Sequence, residues 1–137
     1  MATNKYKNNF GFYKTHLYQT NAAMLDVDTS SEALEDIDSG ELITMIEQVP
    51  TKLTNDTDAG VAKYLVAEDY KEGNPYIVVY LLQPIHEIIG DYNAEELSVG
   101  DDVLVHESKF DEVGEGQEAQ GILFRLSEED KAIVKLK

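Results

Sequence analysis

Hydrophobic residues in this chain fall into short runs that polar turn residues separate. One such run, residues 76–84, is rich in valine, tyrosine and leucine. A run of this length is typical of a β-strand, because β-branched and aromatic side chains pack well on a pleated surface. A second run at 85–90 follows directly, and turn residues at 98–102 lead into a third at 103–105. The pattern therefore predicts three consecutive strands in this part of the chain.

The same pattern continues on both sides of this stretch. Further apolar runs lie at 41–49, 61–67, 110–113, 119–126 and 131–136. The last two flank the four polar residues 127–130, which is a hairpin signal. Apolar stripes with the period of a helix are nearly absent. We therefore predict an all-β fold, a small antiparallel β-barrel or sandwich of about seven or eight short strands, with an extended N-terminal arm.

The first 25 residues differ from the rest of the chain. They hold three lysines, no acidic residue and five of the twelve aromatic residues. They are interpreted either as an N-terminal strand of the body or as an extended arm that becomes ordered on a partner. Aromatic rings bury a large area at low entropic cost, so they suit binding surfaces. The predicted partner-binding residues of the arm are Tyr6, Phe10, Phe12, Tyr13 and Lys14.

An acidic, serine-rich connector at 26–40 follows the arm. Asp26, Asp28 and Ser30 match the start of a calcium-binding loop, but Ser31 stands where that loop needs glycine. A loop that holds no metal is therefore the better interpretation. The predicted organisation is an N-terminal arm and connector over residues 1–40, and a β-barrel or sandwich domain over 41–137.

The net charge is −16, and all 27 acidic residues lie after residue 25. Such a body would repel nucleic acid and anionic membranes, so we expect no direct nucleic-acid or membrane partner. The chain has no cysteine, which excludes disulfides, thiolate metal sites and a cysteine nucleophile. No signal peptide or membrane-spanning run is recognisable, so we expect synthesis in the cytoplasm without export by the usual route.

Catalytic and cofactor motifs are not recognisable in the sequence. The three histidines, His16, His86 and His106, fall on different predicted elements. His86 and Glu87 begin a zinc-protease pattern, but Gly90 stands where its second histidine belongs. We therefore predict a protein that is not an enzyme, with no catalytic residue, no metal site and no cofactor.

Several short motifs occur in a familiar order. They are Val-Pro at 49–50, Ala-Gly-Val-Ala at 59–62, Ile-Val-Val-Tyr-Leu at 77–81, Ile-His-Glu-Ile-Ile at 85–89 and Leu-Ser-Val-Gly-Asp-Asp-Val at 97–103. With a closing C-terminal strand, residues 41–137 resemble the small β-barrel capsid decoration (cement) proteins and related head proteins of tailed bacteriophages. The resemblance implies a non-enzymatic virion structural protein that binds the major capsid protein on the capsid exterior. It also implies a homo-oligomer, a trimer or dimer, that stabilises contacts between capsomers.

Two other classes of protein stay open. An acidic DNA mimic would inhibit a DNA-binding enzyme, but here the acids lie mainly in predicted turns and not in rows along one face. A small β-barrel ligand-binding protein or enzyme would need a pocket with convergent polar groups, for which the sequence offers no constellation.

Overall fold

The computed structural model describes residues 10–13, 22–53 and 61–137 of the 137-residue chain. Regular secondary structure in these ranges is entirely β, which confirms the predicted all-β class. The strands are β1 (Gly11–Phe12), β2 (Ala22–Asp26), β3 (Leu42–Ile46), β4 (Val49–Lys52), β5 (Tyr64–Val66), β6 (Tyr76–Leu81), β7 (Glu87–Tyr92), β8 (Asp102–His106), β9 (Lys109–Glu112), β10 (Gly121–Leu126) and β11 (Ala132–Leu136). The described ranges thus hold eleven strands, more than the seven or eight predicted.

Five strands form a closed ring in the order β7-β11-β10-β8-β9. Neighbours in the ring are antiparallel except at the closure, where β7 and β9 pair in parallel through Asp91 with Lys109 and Tyr92 with Phe110. β1 pairs with the first half of β7, with Gly11 opposite Ile89. We call this six-stranded assembly the barrel. Because β1 belongs to it, residues 11–12 form the N-terminal strand that was one of the two interpretations of this segment.

The other five strands form an antiparallel sheet in the order β2-β6-β5-β3-β4. The apolar run at 41–49 predicts a single strand, and this prediction was wrong, because the run is divided between β3 and β4. β3 and β4 form a hairpin in which Ile46 pairs with Val49. Its two turn residues, Glu47 and Gln48, have φ of 51° and 65°, the left-handed pair that tight hairpins require. Neither is glycine or asparagine, so the turn gave no sequence signal.

The main hydrophobic core is built from residues of both the barrel and the second sheet. Leu42 and Leu65 reach it from the sheet, and Ile88 and Leu123 reach it from the barrel. The Phe110 ring packs edge-to-face on another core ring at 4.9 Å between centroids. This shared core joins the two sheets into one packed unit.

A second cluster covers the opposite face of the five-stranded sheet. Val27, Leu34 and Ile37 of the acidic connector pack there on sheet residues such as Ile43 and Val79. The backbone of Ile37 also exchanges hydrogen bonds with that of Tyr70, at 2.7 and 2.9 Å. The connector therefore presents its acids to solvent and its apolar side chains to the sheet.

A buried glutamine links the two sheets. The side-chain amide of Gln120 accepts a hydrogen bond from the Ala62 amide at 2.6 Å and donates one to the Ala62 carbonyl at 3.1 Å. Gln120 is only 6% exposed, so these bonds satisfy groups that water does not reach.

Candidate functional site

The predicted arm residues fall into three groups in the structure. Tyr6 and Lys14 lie outside the described residues. Phe10 is 1% exposed and packs against Phe110 in the main core. Phe12 is half-buried at the core edge, edge-to-face with Tyr80 and His86. The structure therefore uses these two rings in packing, and whether the segment binds a partner stays a prediction.

Tyr13 is the member of the group that lies on the outer face of the barrel. Its backbone amide donates to the Glu87 carbonyl at 2.8 Å, which continues the β1 pairing. Arg125 on β10 donates a hydrogen bond to the Tyr13 hydroxyl at 2.7 Å. The guanidinium carbon also lies 4.9 Å from the centre of the Tyr13 ring. These two contacts hold the Arg125 side chain in one orientation.

The pairing of β10 with β11 brings further side chains to the same face. Ile122 is opposite Lys135, and Arg125 is opposite Ile133. The register shifts between Leu123 and Arg125, so Phe124 is an extra residue in a β-bulge. The Phe124 ring is 48% exposed and carries the Lys135 ammonium at 5.2 Å from its centre. The β10–β11 surface is formed by Tyr13, Ile122, Phe124, Arg125 and Lys135.

Basic residues are concentrated at this surface, and acids flank it, since Glu87 pairs with Lys135 and Asp102 pairs with Ile122. Four of the eight basic residues after residue 25 lie at 125–137, and Arg125 is the one arginine of the sequence. Lys131 forms an ion pair with Asp91, and Lys137 forms one with Asp102 at 3.3 Å. By contrast, Arg125 and Lys135 stack on aromatic rings. Their charge is thus presented beside exposed apolar area, the combination that protein interfaces favour.

Phe124, Arg125 and Lys135 were not among the binding residues predicted from the sequence. A usable signal was present, because Ile122 and Phe124 share one parity of a strand whose other parity holds Gly121 and Leu123. What the sequence could not supply is the contact between Arg125 and Tyr13, which are 112 residues apart.

A cleft of about 480 Å³ lies between β4 and the turn that joins β8 to β9. Glu41 is 6% exposed there, and its Oε1 accepts a hydrogen bond from the Ser108 hydroxyl at 3.2 Å. Burial raises the pKa of the Glu41 carboxyl above its usual 4.5, although the Ser108 hydrogen bond and Lys52 act in the opposite direction. Chemically the cleft offers the buried Glu41 carboxyl beside a hydroxyl, with Glu35 and Glu107 also in its lining.

His86 is buried. Its Nδ1 accepts a hydrogen bond from the Gln83 amide at 3.2 Å, and burial lowers the pKa of its imidazole. Across ranges 10–13, 22–53 and 61–137, no three His, Cys, Asp or Glu side chains are grouped so that they could hold a metal ion. Over the same ranges, no helix has the length and apolar character needed to span a membrane.

No protein-family model matches this chain, and neither a curated protein nor a solved structure proved similar to it. The fold and the surface describe the class of protein in coarse terms. The class is an all-β protein of two packed sheets that presents an aromatic and cationic surface on an acidic body.

Proposed function

We propose that this protein is a non-enzymatic virion structural protein that binds the outer surface of an assembled phage capsid and stabilises contacts between capsomers. The observation that carries the proposal is the β10–β11 surface. There Ile122 and Phe124 are 39% and 48% exposed on strands that pack firmly on the core. Apolar side chains exposed on a rigid sheet are what a permanent partner would bury.

The two cations of the surface support binding because stacking fixes them in advance. Arg125 is held by Tyr13, and Lys135 lies over Phe124. Side chains that are already ordered lose less conformational entropy when they bind. We therefore expect Phe124 and Arg125 to be the principal contacts with the major capsid protein.

The charge of the whole chain favours the exterior of the shell over its interior. A net charge of −16 would repel packaged DNA, whereas the outer surface of a capsid faces solvent. The acidic faces of the body would then point away from the capsid, with the β10–β11 surface toward it.

The proposal is tested by titrating the purified protein onto empty heads assembled from the major capsid protein encoded in the same genome. Bound protein is measured by co-sedimentation. We expect saturable binding, and we expect Phe124→Ala to weaken it by about 30-fold, the loss that corresponds to about 2 kcal/mol at an interface hot spot. Ile46→Ala is the matched control, because Ile46 is 44% exposed at the end of β3, in the other sheet. It should bind like the unmodified protein.

Two results would overturn the proposal. One is failure of the unmodified protein to bind the heads, and the other is equal binding by the Phe124→Ala variant. A DNA mimic would bind a basic DNA-binding enzyme instead, with an affinity that falls steeply as salt rises. Binding through the β10–β11 surface should fall less steeply with salt, because salt screens its two cations but not its apolar contacts.

A further inference from the structure

The five-stranded sheet has two edges that differ in chemistry. β4, at one edge, carries Pro50 and Lys52, residue types that proteins use to prevent strand addition. β2, at the other edge, has the sequence Ala-Ala-Met-Leu-Asp and carries neither. Among the described strands, β2 pairs with β6 alone. Within the described residues, the β2 edge is therefore the edge of this sheet that lacks these protective residue types.

The backbone direction at this edge follows from the β2–β6 register. Leu25 pairs with Ile77, and the amide of Val27 donates to the Pro75 carbonyl at 2.9 Å. Because hydrogen-bonded residues alternate along an antiparallel pair, Ala23 and Leu25 direct their N–H and C=O groups toward β6. Met24, like Ala22 and Asp26, directs its groups toward the outer edge.

Side chains next to the edge are also exposed and apolar. Met24 is 64% exposed, and Tyr76 on the adjacent strand is 51% exposed. Val78, which pairs with Met24, lies on the same face and is half-buried. Together they extend an apolar strip up to the open edge.

Charge decides what kind of partner suits this edge. The chain has a net charge of −16, so two copies repel each other over most of their surface. Residues 22–25 of β2 carry no charge, which makes the edge a place where two copies can approach. When β2 is paired antiparallel with a second β2 and centred on Met24, Asp26 lies opposite Ala22 of the other copy. The two aspartates are thereby kept apart, so the strand is complementary to itself.

We infer that this protein forms a twofold dimer in which the β2 strands of two copies pair antiparallel around Met24. The two five-stranded sheets then join into one continuous sheet. The outward groups of Ala22, Met24 and Asp26 gain hydrogen bonds to the other copy. This dimer is independent of the capsid-binding proposal, because the β10–β11 surface belongs to the other sheet.

The test is sedimentation of the full chain combined with amide hydrogen exchange resolved by residue in NMR spectra. Concentration is varied from about 1 μM to about 1 mM, the range of weak to moderate affinities. We expect the mass to rise from 15.3 kDa to twice that value. Over the same range, exchange of the Met24 amide should slow by at least about tenfold, while Ala23 and Leu25, already bonded to β6, stay unchanged.

A variant supplies the second readout. Met24→Lys places two positive charges side by side at the centre of the dimer, which opposes pairing. Since the Met24 side chain is largely exposed, the variant should fold with an unchanged melting temperature at low concentration. Val99→Lys adds the same charge at a similarly exposed site and should still dimerise.

Each other outcome overturns the inference. A monomer at all concentrations means that the edge does not self-associate. A dimer in which the Met24 amide exchanges freely uses another interface. Protection of that amide in the dilute monomer means that the chain itself covers the edge, and a Met24→Lys variant that still dimerises excludes β2 pairing.

Discussion

Gly90 in β7 lies directly against the ring of Phe10. A Cβ added at Gly90 would come within 2.8 Å of the Phe10 Cε1 atom, and closer still to Cδ1. That separation is shorter than van der Waals contact, and both residues are buried, so the ring has no solvent to move into. We therefore predict that Gly90→Ala destabilises the protein by about 1–3 kcal/mol, the usual penalty for an overfilled core.

The prediction becomes specific when Phe10 is removed as well. Phe10→Ala should by itself cost about 3–5 kcal/mol, because it deletes a buried ring and its contact with Phe110. In that background the clash is gone, and alanine restricts the unfolded chain more than glycine does. Gly90→Ala should then be neutral or stabilising by up to about 1 kcal/mol.

The assay is urea unfolding of the unmodified protein, the two single variants and the double variant. All four are measured in the same sulfate-containing buffer, because sulfate strengthens apolar burial and keeps the weakest variant folded. Equal m-values are required before the free energies of unfolding are compared. If Gly90→Ala is equally harmful with and without Phe10, then Phe10 does not pack against β7 and the reasoning is refuted.

Two further predictions concern buried polar groups. Gln120→Ala should lower the free energy of unfolding by about 1–3 kcal/mol, because it leaves the buried Ala62 amide and carbonyl without partners. Gln83→Ala removes an exposed glutamine and is the control. An equal loss of stability in both variants would contradict the prediction. The Glu41 carboxyl has a raised pKa in the folded protein. The stability that it contributes is therefore complete below pH 4.5, its usual pKa, and is lost as pH rises through its folded-state pKa. Glu41→Gln should therefore be more stable than the unmodified protein near pH 7. The difference in free energy of unfolding, measured from unfolding curves, should shrink below pH 4.5. A difference that does not change with pH would contradict this prediction.

The candidate site was only partly accessible to sequence reasoning. The aromatic content of the N-terminal segment drew attention to Phe10, Phe12 and Tyr13, and all three take part in packing or in the β10–β11 surface. Their different environments could not be predicted. Phe10 enters the core because β1 pairs with β7. Tyr13 contacts Arg125 because both side chains lie on the outer face of the barrel. Both contacts join residues that are far apart along the chain.

The pattern of short β-branched runs was enough to determine the all-β class. It also determined the β10–β11 hairpin, because strand preference and turn chemistry act between neighbours along the chain. The tertiary structure decided three other features. They are the glutamate–glutamine turn between β3 and β4, the parallel pairing of β7 with β9, and the packing of the connector's apolar side chains on the sheet. In each of these, burial of surfaces from distant parts of the chain overrides a weak local preference. Local conformations differ by about a few tenths of a kcal/mol, and the free energy gained by packing a core exceeds that difference.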